Sequence, residues 1–365
     1  MKFRFQLVIP CLLLLAACTE ESAGPELRVY NWSDYIAPTT VARFEEETGI
    51  RVIYDVFDSN EVLEAKLLSG ASGYDIVVPT SDFMGRQIIA GVFQPLDLER
   101  LPNYRHLDPD LMRLVATFDP GNRYGVPYLW GTTGIGYNVG KVQAALGDDA
   151  PIDSLDLLFK PEFASKLADC GIGVLDSPSE IFSAVLNYLG LDPDSQSAED
   201  YELSARELLD GIRPYIRYFH SSQYINDLAN GDICLAFGWS GDVLQARDRA
   251  REANTGADIA FAIPREGALM WFDMLAIPAD AKRVGYAHRF IDFLLRPDVI
   301  AEVTGHVKYA NANVTATALL PESISSDPGV YPPPEVRERL YTDKVTPPKI
   351  DRVMTRVWTA VKTGR

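Results

Sequence analysis

Histidine, cysteine and basic charge are scarce in this chain of 365 residues, and each shortage removes a class of chemistry. The four histidines (His106, His220, His288, His306) lie far apart, and none stands at a useful spacing from a cysteine. No His-Glu-x-x-His run and no Cys-x-x-Cys pair is present, so the common zinc frameworks have no ligand set. A Gly-x-Ser-x-Gly elbow and a phosphate-cradling P-loop are also missing. The glycines over 131–136 lack dinucleotide spacing and are expected to form a tight crossover between domains. Lysine and arginine number 34 against 51 aspartates and glutamates, a net charge of −17. Such a balance repels nucleic acid and favours small cations. Nothing here asks for a metal or a cofactor.

Long apolar runs are absent too. The stretch over 7–17 follows the basic start Met1-Lys2-Phe3-Arg4 and is far shorter than the roughly 20 residues that span a bilayer. A basic start, a short apolar core and the small residues Leu15-Ala16-Ala17-Cys18 read as a secretory leader. The last four resemble a bacterial lipobox, which implies cleavage before Cys18 and a lipid on its thiol. Removing the leader takes Lys2 and Arg4 but no acid, leaving 32 basic residues against 51 acidic ones. Cys170 and Cys234 then remain as an even pair in an oxidising compartment, where a disulfide is expected. Two buried free thiols are the alternative.

From residue 27 onward strand-like and helix-like segments alternate. Strands are expected over 27–30, 51–56 and 74–79, with helices over 39–48, closed by Gly49, and 60–68, opened by Asn60. That alternation indicates an α/β sheet covered on both faces. A second unit begins near Trp130. Strands return over 259–264 and 274–278, and an irregular surface loop is expected over 191–200. The chain ends in an amphipathic helix carrying Ile350, Val353, Met354, Val357 and Val361 on one side.

Aromatic residues stand beside acids at several distant places. The run Asn31-Trp32-Ser33-Asp34-Tyr35 is one, and Gly238-Trp239-Ser240-Gly241-Asp242 another. Trp271 with Asp273 and the segment opened by Tyr309 add to them. Ring faces and carboxylates attract the same ligand, an organic cation with an apolar body.

Several long strings carry a family resemblance. Asn31-Trp32-Ser33-Asp34-Tyr35-Ile36-Ala37-Pro38, the stretches over 55–66 and 128–138, the segment over 218–234 and Tyr309-Ala310-Asn311-Ala312-Asn313 resemble bacterial polyamine-binding proteins, with the putrescine branch matched best. The resemblance spans nearly the whole chain from residue 27. It implies a type II periplasmic-binding-protein fold, with two α/β lobes, each a mixed sheet flanked by helices, hinged around a cleft. The expected division is 1–17 leader, 18–26 tether, 27–130 with 259–307 as lobe 1, and 131–258 with 308–365 as lobe 2. It also implies delivery of the ligand to a membrane-embedded ABC permease; together with the lipobox, the expectation is a monomer of the bacterial periplasm anchored to the membrane by its lipid.

Carried over residue by residue, the resemblance implies that Trp32, Tyr35, Trp239, Trp271 and Tyr309 wall the methylene chain. Glu180, Asp242 and Asp273 should hold the ammonium ends, with Ser33, Asp34 and Thr80 adding polar contacts. Asp34 has a competing reading as a helix cap. This chain departs from the putrescine branch at Asp82, Ser177, Trp271 and Asp343; there Trp271 is spermidine-like, and Asp82 and Asp343 are either extra anions for a third amine or rim charges. Three other functions stand beside polyamine transport: a polyamine-sensing receptor on the same scaffold, a secreted hydrolase using paired acids such as Glu180 and Asp242, and a ferric-ion binder.

Overall fold

The computed structural model describes residues 24–365. The leader, Cys18 and most of the expected tether lie outside the described residues. Among the described residues no helix is long and apolar enough to cross a membrane.

The strand Glu26–Trp32 alternates buried and half-buried positions and pairs in parallel with Arg51–Phe57 on one side and Ile76–Val77 on the other. Between the first two runs the helix Pro38–Thr48, with proline in its first turn and Gly49 left-handed at φ 69° after its last. The helix Asn60–Leu68 is opened by Ser59, whose hydroxyl accepts from Val62 N–H, and not by Asn60. The Asn60 side chain is engaged elsewhere: it donates to the Thr80 hydroxyl at 2.8 Å and accepts from Thr80 N–H at 3.1 Å. The strand expected over 74–79 shrinks to Ile76–Val77, because the residues after it turn toward the cleft and Thr80 bridges Asp273.

One 14-residue strand, Gly125–Asn138, ties the two halves together and is buried along its whole length. Its first half runs antiparallel to Ala268–Ala276, which in turn meets Ile76–Val77. Its second half runs antiparallel to Leu235–Trp239 and Ile259–Ala262, and Ile172–Val174 and Tyr218–Phe219 continue that second sheet in parallel. The glycines over 131–136 therefore lie in the crossover between the two halves, as expected, which takes the form of an extended strand shared by both sheets. Their lack of side chains is needed where neighbours close in: a Cβ at Gly134 would stand 2.6 Å from the Ala262 carbonyl oxygen, and one at Gly136 2.5 Å from Val243.

Two hydrophobic cores follow from these sheets. The first is built from residues such as Leu27, Ile76, Phe272 and Phe290, and the second from Ile135, Phe182, Phe237 and Trp358. They divide the chain differently from the expected boundaries at two places. Ile259–Ala262 belongs to the second sheet, since it pairs with the crossover strand there. Residues such as Tyr309, Ala316 and Val330 pack in the first core, because Ala310–Asn311 pairs with Trp130 and Leu129. Only the final helix, Pro348–Thr363, returns to the second core, burying the five apolar residues expected there together with Trp358. Cys170 and Cys234 are joined by a disulfide across a sequence separation of 64 within the second half. Closing a loop of that length stabilises by about 4 kcal/mol on the chain-entropy account.

Candidate functional site

The two sheets leave a cleft of about 710 Å³ between them. Six carboxylates line it (Asp58, Asp82, Glu180, Asp242, Asp273, Asp343), and among the described residues no lysine, arginine or histidine does. That asymmetry sets the sign of whatever fills it. An anion would meet only repulsion, and a neutral molecule would leave charges unpaired in a confined space.

Three of the acids are held in place by dedicated donors. Asp273, on the strand Ala268–Ala276, accepts from the Tyr35 hydroxyl at 2.6 Å and from the Thr80 hydroxyl at 2.8 Å. Asp242 lies in the first turn of the helix Ser240–Glu252 and accepts from Tyr224 at 2.7 Å and Tyr309 at 2.6 Å. The Asp242 N–H donates back to the Tyr309 oxygen at 3.1 Å, which fixes the phenol from two directions. Glu180, in the first turn of Pro178–Tyr188, accepts the Trp239 indole N–H on both oxygens, at 2.8 and 2.9 Å, and a hydroxyl from Thr133. The Trp271 indole N–H donates to the Thr133 oxygen at 3.2 Å, so this acid and two tryptophans form one unit. Charge-neutral donors orient the carboxylates without neutralising them.

Their protonation reflects that imbalance. Burial, opposed by the donors just described, pushes Glu180, Asp242 and Asp273 up to about 7 each. Neighbouring acids add to the push: Asp82 and Asp273 act on Glu180, and Asp82 and Asp242 act on Asp273. Asp82 rises to about 6, and Asp343 moves well above the usual carboxylate range, both chiefly through burial. Clusters of buried acids raised together mark functional clefts.

Aromatic rings complete the walls. Trp32 meets Trp239 at 5.5 Å between centroids, Trp239 meets Trp271 at 6.5 Å, Trp271 meets Tyr309 at 5.4 Å, and Tyr309 meets Tyr35 at 5.0 Å. The chain of rings passes from the first core through Trp239, which packs against both cores. Trp32 is fixed by its indole N–H donating to the Val78 carbonyl at 2.9 Å. Ser33 also lines the cleft, its hydroxyl donating to the Phe57 carbonyl at 3.3 Å. Gly241 leaves room for the ring of Tyr309: a Cβ there would lie 2.5 Å from it. The Gly241→Ala variant should therefore displace the phenol from Asp242 and weaken cation binding at least tenfold, read by titration calorimetry; unchanged affinity would refute the role given to that contact.

The fold thus brings Trp32, Ser33, Tyr35, Thr80, Asp82, Glu180, Trp239, Asp242, Trp271, Asp273, Tyr309 and Asp343 to one cleft. Asp34 and Ser177 do not line it. Asp34 sits at φ 54° in the turn after the first strand, where its carboxylate accepts from Arg249 at 2.7 Å on the other side of the interlobe boundary. Ser177 precedes the helix Pro178–Tyr188, and its neighbour Ser179 reaches the cleft instead. Tyr224, which holds Asp242, escaped the sequence reading: it occupies a buried helical position that looks like ordinary core until its hydroxyl is traced.

Comparison with known proteins follows the same line. A family model described as bacterial extracellular solute-binding protein matches residues 39–332. The putrescine-binding periplasmic protein PotF of Escherichia coli is 57% identical over 359 residues, 98% of this chain and 97% of that protein. The putrescine-binding periplasmic protein SpuD of Pseudomonas aeruginosa is 53% identical, over 96% of this chain and 95% of its own. Among solved structures, a putative spermidine/putrescine ABC transporter protein from Listeria monocytogenes superposes with a TM-score of 0.83 at 32% identity, covering 93% of this chain and 99% of that one.

Proposed function

Because the chain belongs to the bacterial extracellular solute-binding proteins, a family of binding proteins and not of enzymes, we propose that it captures polyamines in its interlobe cleft and delivers them to an ABC permease. The observation that carries this reading is the cleft lining: six acids, no basic residue among the described residues, and a run of aromatic faces. An alkyl ammonium ion has three donors and no acceptor, and carries a large desolvation cost, so carboxylates must meet it inside a closed cleft. Asp242, Asp273 and Glu180 are the groups assigned to the ammonium ends. Trp32, Tyr35, Trp239, Trp271 and Tyr309 are assigned to the methylene chain, each good cation–π contact adding roughly 0.5–2 kcal/mol.

Ligand bridging the two lobes favours the closed form by the difference in its affinity for the two states. Closure then presents the surface that a permease reads. Titration calorimetry against putrescine, cadaverine, agmatine and spermidine tests the reading; absence of heat across that panel would sink it.

The same reading places the mature chain in the periplasm, tethered through a lipid on Cys18. The leader pattern supports this, together with relatives that are themselves periplasmic. Replacing Cys18 by alanine should move the protein from the membrane fraction to the soluble fraction; a variant still sedimenting with membranes would remove the lipid anchor.

A further inference from the structure

Asp242 takes its two side-chain hydrogen bonds from phenols on different halves of the molecule. Tyr309 packs in the first core and lines the cleft, so a ligand there meets its ring. Tyr224 packs in the second core at 0% exposure, together with Val243 and Ala246 of the helix that carries Asp242. Its neighbours Ser222 and Ile225 line the cleft, and Tyr224 does not. A ligand cannot touch this phenol, yet the phenol touches the acid.

The surroundings fix where its proton points. The Tyr224 oxygen accepts the Trp239 backbone N–H at 3.1 Å, and its hydroxyl donates to Asp242 at 2.7 Å. Accepting one bond polarises the O–H and strengthens the bond it gives. The ring lies against Gly238 of the strand Leu235–Trp239, where a Cβ would stand 2.6 Å from its edge. Strand, helix and acid are thus joined through a single oxygen.

The phenols and Arg249 favour the charged form of Asp242, while burial, Asp34 and Asp273 oppose it. Asp34 and Arg249 are themselves paired at 2.7 Å, so their effects on Asp242 oppose one another. Burial, with Asp242 and Glu180 adding to it, holds the Tyr224 phenol well above its ordinary value, and it remains a donor through neutral and mildly alkaline pH.

We propose that Tyr224 is a positioning residue for polyamine capture: from within the second lobe it keeps Asp242 ionised and aimed into the cleft. The inference rests on the polyamine reading and deepens it. Without the hydroxyl, Asp242 keeps its proton to higher pH, and an ammonium ion must displace that proton before it can pair. Where the acid is ionised in either protein, the difference fades.

The test is titration calorimetry of the purified protein with putrescine at pH 6 and pH 9, repeated on Tyr224→Phe. Phenylalanine keeps the ring against Gly238 and removes only the oxygen. The variant is expected to bind about tenfold more weakly than the parent at pH 6 and within about threefold of it at pH 9. Tyr201→Phe is the control for losing a buried hydroxyl: Tyr201 is 3% exposed in the same core and donates to the Ser195 carbonyl at 2.9 Å. It should leave affinity unchanged at both pH values. Unfolding midpoints verify that the variants are folded at the assay temperature. Should Tyr224→Phe not fold, Gly238→Ala, which keeps the hydroxyl but pushes the ring off Asp242, carries the same expectation. A loss of equal size at both pH values, no loss at pH 6, or the same pattern in Tyr201→Phe overturns the assignment and leaves the polyamine reading standing. A parent silent toward putrescine overturns both.

Discussion

The Asp273→Asn variant should bind polyamine at least about 25-fold more weakly than the parent while its unliganded form melts no lower. Asp273 is 3% exposed and receives two hydroxyl donors from the same lobe. Asparagine keeps the shape but offers one acceptor oxygen to Tyr35 and Thr80 and no charge to an ammonium ion. Truncating one member of a buried, hydrogen-bonded charge pair costs about 2–5 kcal/mol, and each 1.4 kcal/mol is tenfold in affinity. Without ligand the balance reverses. The native carboxylate sits in a field set by Asp82 and Asp242, with no cation to oppose it, so losing its charge relieves repulsion. The pairing of weaker binding with undiminished stability separates a ligand contact from a structural one. Asp110, 78% exposed and paired only with Arg113 one turn along, is the control: Asp110→Asn should change neither quantity. A loss of stability in Asp273→Asn as large as its loss of affinity would sink the assignment.

Legibility in the sequence was uneven, for reasons that sit in particular residues. The opening strands and helices could be read because polar caps and left-handed glycines such as Gly49 punctuate them. The crossover after Trp130 could be placed, but not that it is one continuous strand, Gly125–Asn138, since full burial leaves no alternation to read and glycine is poor in strand propensity. The lobe boundary near Tyr309 depends on a two-residue pairing with Trp130 and Leu129 that no local pattern announces. Asp273 and its donor Tyr35 are 238 residues apart, so periodicity alone could not join them; the family resemblance did. Asp34 shows where that resemblance overreached. It follows Trp32 and Ser33 in the same motif, yet a positive φ and the Arg249 guanidinium take its carboxylate out of the cleft. Tyr224 was overlooked for the opposite reason, an apolar-looking helical position whose one polar atom holds an acid.

Affinity for polyamine should rise steeply from pH 5 to about 7 and level off above it, while the unliganded protein loses stability over the same interval. Glu180, Asp242 and Asp273 stand at about 7 when folded without ligand, against 4.5 for a free glutamate and 3.8 for free aspartates. Between those values the folded chain holds more protons than the unfolded one, so stability falls as pH rises through the window. The paired acids Glu26, Glu47, Asp156 and Asp298 are lowered instead. Their contribution is present above their unfolded values and is lost only when pH falls through the folded ones, below the ordinary carboxylate range, which leaves the higher window to the cleft acids and to Glu61, which burial also raises to about 7. Aliphatic amines titrate near 10, so the ligand stays charged throughout. Binding must then expel the protons that the cleft acids carry. Each proton expelled adds one unit of slope to log affinity against pH, and the ligand-induced rise in unfolding temperature should be largest above pH 7. Calorimetry in buffers of different ionisation enthalpy counts the protons directly. The Asp273→Asn variant should release fewer than the parent. An affinity flat from pH 5 to 8, with no proton released, would mean that the cleft acids are already ionised before the cation arrives.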